Sequence, residues 1–176
     1  YETTLKQHND SNHPTLFEIR YFLSDVYFSL ANNQAALHQL NYIENHIDPN
    51  TFPYLLADTY RQQGQIHFIN GQFDSAKRYT QNALQLYTDL GYLAGQIKAY
   101  ASLSRFLQHQ HRYKESTGYI NKALAIARTM ENKLMVGAMI NQLIYLLNTQ
   151  GHANEAWQLT IEMEQIGLEL GFSRMV

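Results

Sequence analysis

The 176-residue chain matches itself at a shift of 40 residues, and that internal period limits the fold more than any other feature. Gly71 falls on His111 and then Gly151. Ala76 falls on Ser116 and Ala156, and Tyr60 on Tyr100 and Ile140. Ala83 meets Ala123 and then Met163, and Leu90 meets Met130 and Leu170. Shifted backwards, Ala36 precedes Ala76, and Leu23 precedes Leu103 and Leu143. Four units, at about 15–50, 51–91, 92–131 and 132–172, share one register without insertion or deletion. A repeat of this length is one supersecondary element that cannot bury its apolar face alone, so neighbouring copies must stack.

Each unit divides into two helix-length segments. From Asp74 to Leu90 the apolar groups Ala76, Tyr79, Ala83, Leu84, Leu86, Tyr87 and Leu90 mostly follow the stripe of an amphipathic helix. The stretch from Tyr113 to Met130 repeats it with Tyr119, Ile120, Ala123, Leu124, Ile126 and Ala127. Turn-prone groups close the first helix of each pair: Asn32-Asn33, Asn70-Gly71, His109 to His111 and Gln150-Gly151. Asp74 is expected as an N-cap. Pro49 and Pro53 lie where a helix can begin without losing a hydrogen bond. The expectation is eight helices, at 15–30, 34–47, 52–69, 74–90, 93–109, 113–130, 133–149 and 153–169, and no strands. Short links within a pair require antiparallel neighbours.

Tyr60, Gly64, Gly71, Phe73, Ala76 and Ala83 stand at successive spacings of 4, 7, 2, 3 and 7. With the segment Gly71-Gln72-Phe73-Asp74-Ser75-Ala76, this pattern resembles the tetratricopeptide repeat. Small groups at Gly64 and Ala76 suit a close helix crossing, and Tyr60 and Phe73 suit the space around it. The third unit keeps Tyr100, Leu103, Tyr113, Ser116 and Ala123, with Ser104 in place of Gly64. The fourth keeps Leu143, Gly151, Ala156 and Leu159, and the first keeps Leu23, Ser24, Tyr27, Ala36 and Leu40. The family's ordinary period is about 34 residues. The longer one, with the stretches Ala83 to Gly91 and Ala123 to Glu131, resembles sensor variants in bacterial signalling proteins and transcription activators. The resemblance implies an all-α, right-handed superhelix of antiparallel helix pairs in a single repeat domain. It also implies an interaction module within a larger protein.

Composition narrows the chemistry. There is no cysteine, which excludes disulfides, thiolate metal sites and cysteine nucleophiles. With 13 basic and 15 acidic residues the chain has no electrostatic reason to bind nucleic acid or an anionic membrane. The longest apolar run, Leu134 to Ile140, is far shorter than the roughly 20 residues of a membrane span. No signal peptide is visible at Tyr1-Glu2-Thr3-Thr4, and the missing initiator Met suggests a piece of a longer chain. A cytoplasmic location is expected. No phosphate loop, H-E-x-x-H, nucleophile elbow or zinc pattern occurs. Glu162 and Glu164 are two apart on a helix and point different ways. The run Gln108-His109-Gln110-His111 is the one tempting metal site, but His111 occupies the turn position of the repeat. The expectation is a binding protein, not an enzyme, with no metal and no cofactor.

In such an array the first helix of each pair lines a groove. The candidate ligand-binding residues are Tyr21, Arg61, Gln62, Gln65, Phe68, Arg105, His109, Asn141, Gln142, Tyr145 and Asn148. Side-chain amides pair with a peptide backbone, arginines fork onto carboxylates, and the aromatic rings take apolar side chains. The expected partner is a protein or peptide. The set does not reproduce the Lys/Asn/Arg carboxylate clamp of chaperone-binding members, so a chaperone tail is not expected. The last helix carries Trp157, Leu159, Ile161, Met163, Ile166, Leu168 and Leu170, too apolar to face water on all sides. Either more chain covers it or the module forms a homodimer around Trp157.

Overall fold

Six of the seven links between consecutive helices are three residues long, and most close in the same way. The computed structural model describes residues 14–172. Its helices are α1 (Pro14–Ser29), α2 (Asn33–His46), α3 (Pro53–Ile69), α4 (Phe73–Asp89), α5 (Leu93–His109), α6 (Tyr113–Thr129), α7 (Lys133–Thr149) and α8 (Ala153–Glu169). At the turn inside each pair one residue takes a left-handed backbone: Ala31, Gly71, His111 and Gly151, at φ 57°, 75°, 59° and 82°. The next amide reaches back to a carbonyl five residues earlier: Asn32 to Tyr27 at 2.8 Å, Gln72 to His67 at 2.8 Å, Arg112 to Leu107 at 2.9 Å, His152 to Leu147 at 2.9 Å. This closure satisfies carbonyls that a helix end otherwise leaves bare. Asp74 is not an N-cap: the cap position is Gln72, and Asp74 lies inside the first turn of α4, where its charge complements the helix dipole. Asn32 and Asn132 do cap, accepting from the amides of Ala35 and Met135 at 3.1 Å each. Pro53 occupies the first turn of α3 as expected.

The chain divides into two units, Tyr1–Gly91 and Tyr92–Val176, with two described helix pairs in each. The boundary falls between the second and third sequence repeats. In the N-terminal unit α1 packs on α2, α2 on α3 and α3 on α4. Its core gathers Phe17, Ala36, Leu40, Ile43, Leu56 and Ile66. In the C-terminal unit α5 packs on α6, α6 on α7 and α7 on α8. Its core is built on Ile120, Ala123, Ala127, Ile140, Leu143 and Leu146. No strand occurs among the described residues, and no helix there is long and apolar enough to cross a membrane.

Gly64 shows why the repeat register is strict. A Cβ at this position would lie 2.3 Å from the Thr80 hydroxyl and 3.1 Å from the Ala76 carbonyl, so α3 and α4 touch there almost backbone to backbone. One repeat later Ser104 and Ser116 meet at the matching positions, both fully buried, with their hydroxyls 2.7 Å apart. A small group or a paired hydroxyl fills the same gap. Gly64→Ala therefore loses about 1–3 kcal/mol to overpacking, despite the better helix propensity of alanine. Thr80→Ala removes the clashing hydroxyl, a buried group without a hydrogen-bond partner. Urea unfolding of both single variants and the double variant should show Gly64→Ala costing markedly less in the Thr80→Ala background.

Candidate functional site

The two units carry the same first-helix stripe in different electrostatic states. Register positions run Tyr21, Arg61, Ala101, Asn141 and, four residues on, Asp25, Gln65, Arg105, Tyr145.

In the N-terminal unit the stripe is closed on itself. Gln62, expected on the open face, is only 2% exposed. Its amide donates to Asp25 Oδ1 at 2.7 Å and its carbonyl accepts from the Ser24 hydroxyl at 2.8 Å. This corrects the sequence reading: a polar residue on a first helix reads as solvated, but here it ties α3 to α1. Arg61 donates to Gln65 Oε1 at 3.1 Å and to the Tyr21 hydroxyl at 3.3 Å, and its Nε stands 3.6 Å from Asp58. The Tyr87 hydroxyl, from α4, donates to the same Asp58 at 2.6 Å. Phe68 is half-buried, edge-on to Phe73 with ring centroids 5.7 Å apart. Of the predicted residues here, Tyr21, Arg61, Gln62 and Gln65 are thus brought together, but mainly to satisfy one another. Sequence reasoning missed Asp58, whose i,i+3 spacing to Arg61 was a usable signal, and Tyr87, whose contact crosses the helix pair and leaves no local one.

Burial sets the protonation behaviour of this cluster. It pushes the Tyr21 phenol up to about 12. Burial first, and then the hydrogen bond to Asp58, raises Tyr87 further. Burial also raises the Asp25 carboxyl, against the pull of Arg61.

In the C-terminal unit the stripe is open. Arg105, Gln108, Asn141, Gln142 and Tyr145 line a shallow cavity of about 440 Å³ between α5 and α7. Arg105, Asn141 and Tyr145 are exposed and Gln142 is half-exposed. None of these four side chains forms a hydrogen bond or ion pair among the described residues, whereas Gln108 donates to the Ser104 hydroxyl at 3.1 Å. His109 and Asn148 are exposed near the ends of the same helices and do not line this cavity. The cavity therefore presents one guanidinium, three amides and a phenol ring.

A second depression, of about 380 Å³, is lined by Thr117, Asn121, Leu143, Leu147, Glu155, Gln158 and Leu159. Sequence reasoning did not find it, because its walls come from three helices. His111 sits in its left-handed turn with Nδ1 2.9 Å from the Tyr113 hydroxyl. Among the described residues no three His, Asp or Glu side chains converge as a metal site. On α8 Trp157 is 63% exposed, and Ile161 and Leu168 also face water.

No protein-family model matches the sequence, and no curated protein does. Solved structures match over most of the chain. A Rap protein complexed with Competence and Sporulation Factor aligns with a TM-score of 0.74 at 16% identity, over 97% of this chain and 47% of that one. Aspartyl phosphate phosphatase F from Bacillus subtilis aligns at 0.81 and 11% identity, over 88% of this chain and 41% of that one. A putative kinesin light chain with TPR-like repeats from Podosopora anserina aligns at 0.76 and 14% identity, over 97% and 84%. The fold is that of TPR-like helical repeats, as the sequence resemblance implied. The chain spans less than half the length of the first two.

The raised tyrosines make the N-terminal unit sensitive to alkali. An unfolded chain ionises its tyrosines near 10, so stability from Tyr21 and Tyr87 is fully present below that pH and is lost as pH rises towards 12 and beyond. Urea midpoints at pH 7, 9, 10.5 and 11.5 should fall steeply at the top of the range. Tyr87→Phe should flatten that fall and cost about 1.5–3 kcal/mol at pH 7, the worth of a hydrogen bond to a charged group.

Proposed function

We propose that this chain is a protein- or peptide-binding repeat module of a larger bacterial signalling or regulatory protein, acting in the cytoplasm by binding and not by catalysis. The observation that carries the reading is that Arg105, Asn141, Gln142 and Tyr145, around the α5–α7 cavity, make no side-chain hydrogen bond or ion pair with another described residue. Amides offer a donor and an acceptor each, which suits the backbone of an extended segment. A ring such as Tyr145 covers an apolar side chain with little loss of conformational freedom. The matching stripe of the N-terminal unit has already spent its polar groups on internal bonds and serves to hold α1 and α3 in place. The likeness to a Rap protein complexed with another factor supports the reading at the level of the fold.

A second reading rests on α8. The position of Trp157 corresponds one repeat earlier to Thr117, which accepts a hydrogen bond from Gln150 at 3.0 Å. That of Leu168 corresponds to Arg128, which donates to Glu162 at 2.7 Å. The face of α6 that meets the following helix pair is therefore apolar and exposed on α8, and a second copy of the chain can cover it.

One capture experiment separates the two readings. Immobilised wild type is compared with an Asn141→Ala, Tyr145→Ala variant and with Trp157→Glu, all of equal helical content, in lysate of the source cell. The peptide-binding reading expects a partner whose enrichment falls about tenfold or more in the double variant and holds in Trp157→Glu. Recovery of the chain itself alone, lost only with Trp157→Glu, makes α8 an interface between copies. A partner indifferent to the double variant removes the α5–α7 cavity from the account.

A further inference from the structure

The charges of the C-terminal unit are sorted by helix. It carries eight basic and six acidic residues, against five and nine in the N-terminal unit. All six acids are glutamates, and they lie on the second helices α6 and α8 or in the turn at Glu131. The first helices α5 and α7, 17 residues each, contain no Asp or Glu at all. At ordinary composition about four acids are expected over that length. The fixed cations there are Lys98, Arg105 and Lys133, and Lys133 is taken by Glu169 at 2.9 Å. Lys98 and Arg105 have no ion-pair partner among the described residues.

The N-terminal unit shows the opposite arrangement. Its first helices hold Glu18, Asp25 and Asp58 beside Arg20 and Arg61. Asp25 stands at the register position of Arg105, and Asp58 at that of Lys98. There Arg61 is engaged by Asp58, Tyr21 and Gln65. In the C-terminal unit no carboxylate on either first helix competes for Arg105, and the guanidinium opens onto a cavity whose other polar groups are uncharged.

From this sorting we infer that the α5–α7 face selects an extended peptide segment bearing acidic side chains, with Arg105 and Lys98 as its two anchors. The inference rests on the peptide-binding reading and adds the chemistry of the ligand. Lys98 and Arg105 are seven residues apart on one helix, so they share a face and stand about 10 Å apart along it. Two separated cations suit two carboxylates spread along a segment better than a single chain terminus. Arg105 takes a carboxylate in bidentate fashion, Asn141 and Gln142 pair with the peptide backbone, and Tyr145 packs beside it.

The test uses the full chain and three pools of fluorescein-labelled heptapeptides with amidated C-termini. Two positions are fixed as Asp or Glu in the first pool, Asn or Gln in the second, and Lys or Arg in the third. Fluorescence anisotropy in 0.05 M salt should show the acidic pool binding about tenfold tighter than the amide pool, with the gap narrowing in 0.5 M salt as screening shortens. Arg105→Gln and Lys98→Gln should each shrink the gap several-fold. Arg112→Gln, which removes a guanidinium already paired with Glu115 at 2.6 Å, should leave it unchanged. Equal binding of all pools, abolished by Asn141→Ala, overturns the acidic preference and leaves the peptide reading intact. A preference untouched by Arg105→Gln overturns the assignment of the anchor. Binding of acidic peptides only when their C-terminus is free overturns the side-chain reading in favour of a terminal carboxylate. Failure of every pool to bind overturns both the inference and the reading beneath it.

Discussion

Two helices can approach only as closely as the side chains at their crossing allow, and the rest of each repeat follows from that limit. In the second repeat the crossing is reduced to Gly64 against Thr80 and the Ala76 carbonyl. In the third it is bridged by the Ser104 and Ser116 hydroxyls. Either solution draws the pair together, sets which stripe of each first helix turns to the core, and leaves the opposite stripe for other work. Ser24, at the same register position in the first repeat, shows how the crossing and the outer stripe are connected. Buried there, it turns its hydroxyl to Gln62 of the next pair.

From that common frame the two units diverge. On α1 and α3 the stripe is spent internally: Asp25 with Gln62, Arg61 with Gln65 and Tyr21, Asp58 with Tyr87. Such a network is costly if any member loses its partner, so it fixes the packing of the N-terminal unit. On α5 and α7 the equivalent positions hold Arg105, Asn141, Gln142 and Tyr145, none of whose side chains is engaged by another described residue. Side chains that bond to no neighbouring helix are held in place only by the helix that carries them, which must itself have firm support. Buried Leu143, Leu146 and Leu147 supply that support from the inner side of α7.

Much of this was legible in the sequence. The period located the eight described helices to within a residue at every end, because each turn repeats a left-handed position that Gly71 and Gly151 mark openly. Even His111, which carries a side chain where two other repeats have glycine, was placed by register. The close crossing at Gly64 was visible because Ser24, Gly64 and Ser104 keep the position small in three repeats, although the fourth carries Ile144 there. Gln62 misled because an amide on a polar stripe looks the same whether water or the carboxylate of a neighbouring helix receives its hydrogen bond. Asp74 misled because the cap position had moved two residues earlier, to Gln72. Tyr87 and the depression around Leu147 and Leu159 depend on side-chain contacts between neighbouring helices, which periodicity does not encode.

The difference between a closed and an open stripe is most directly read from the side-chain amides themselves. Hydrogen exchange of the Asn and Gln NH2 groups, followed by NMR in the free protein, reports whether each is tied to a partner or free in water. Gln62 donates to Asp25, and Gln63 donates to Asn41 at 2.9 Å and Glu44 at 2.8 Å. Both should exchange about tenfold more slowly than Asn141 and Gln142, at a pH where all four can be followed. Equal rates across the four, or protection of Asn141 and Gln142 in the absence of any ligand, would contradict an N-terminal stripe closed on itself and a C-terminal stripe open to water.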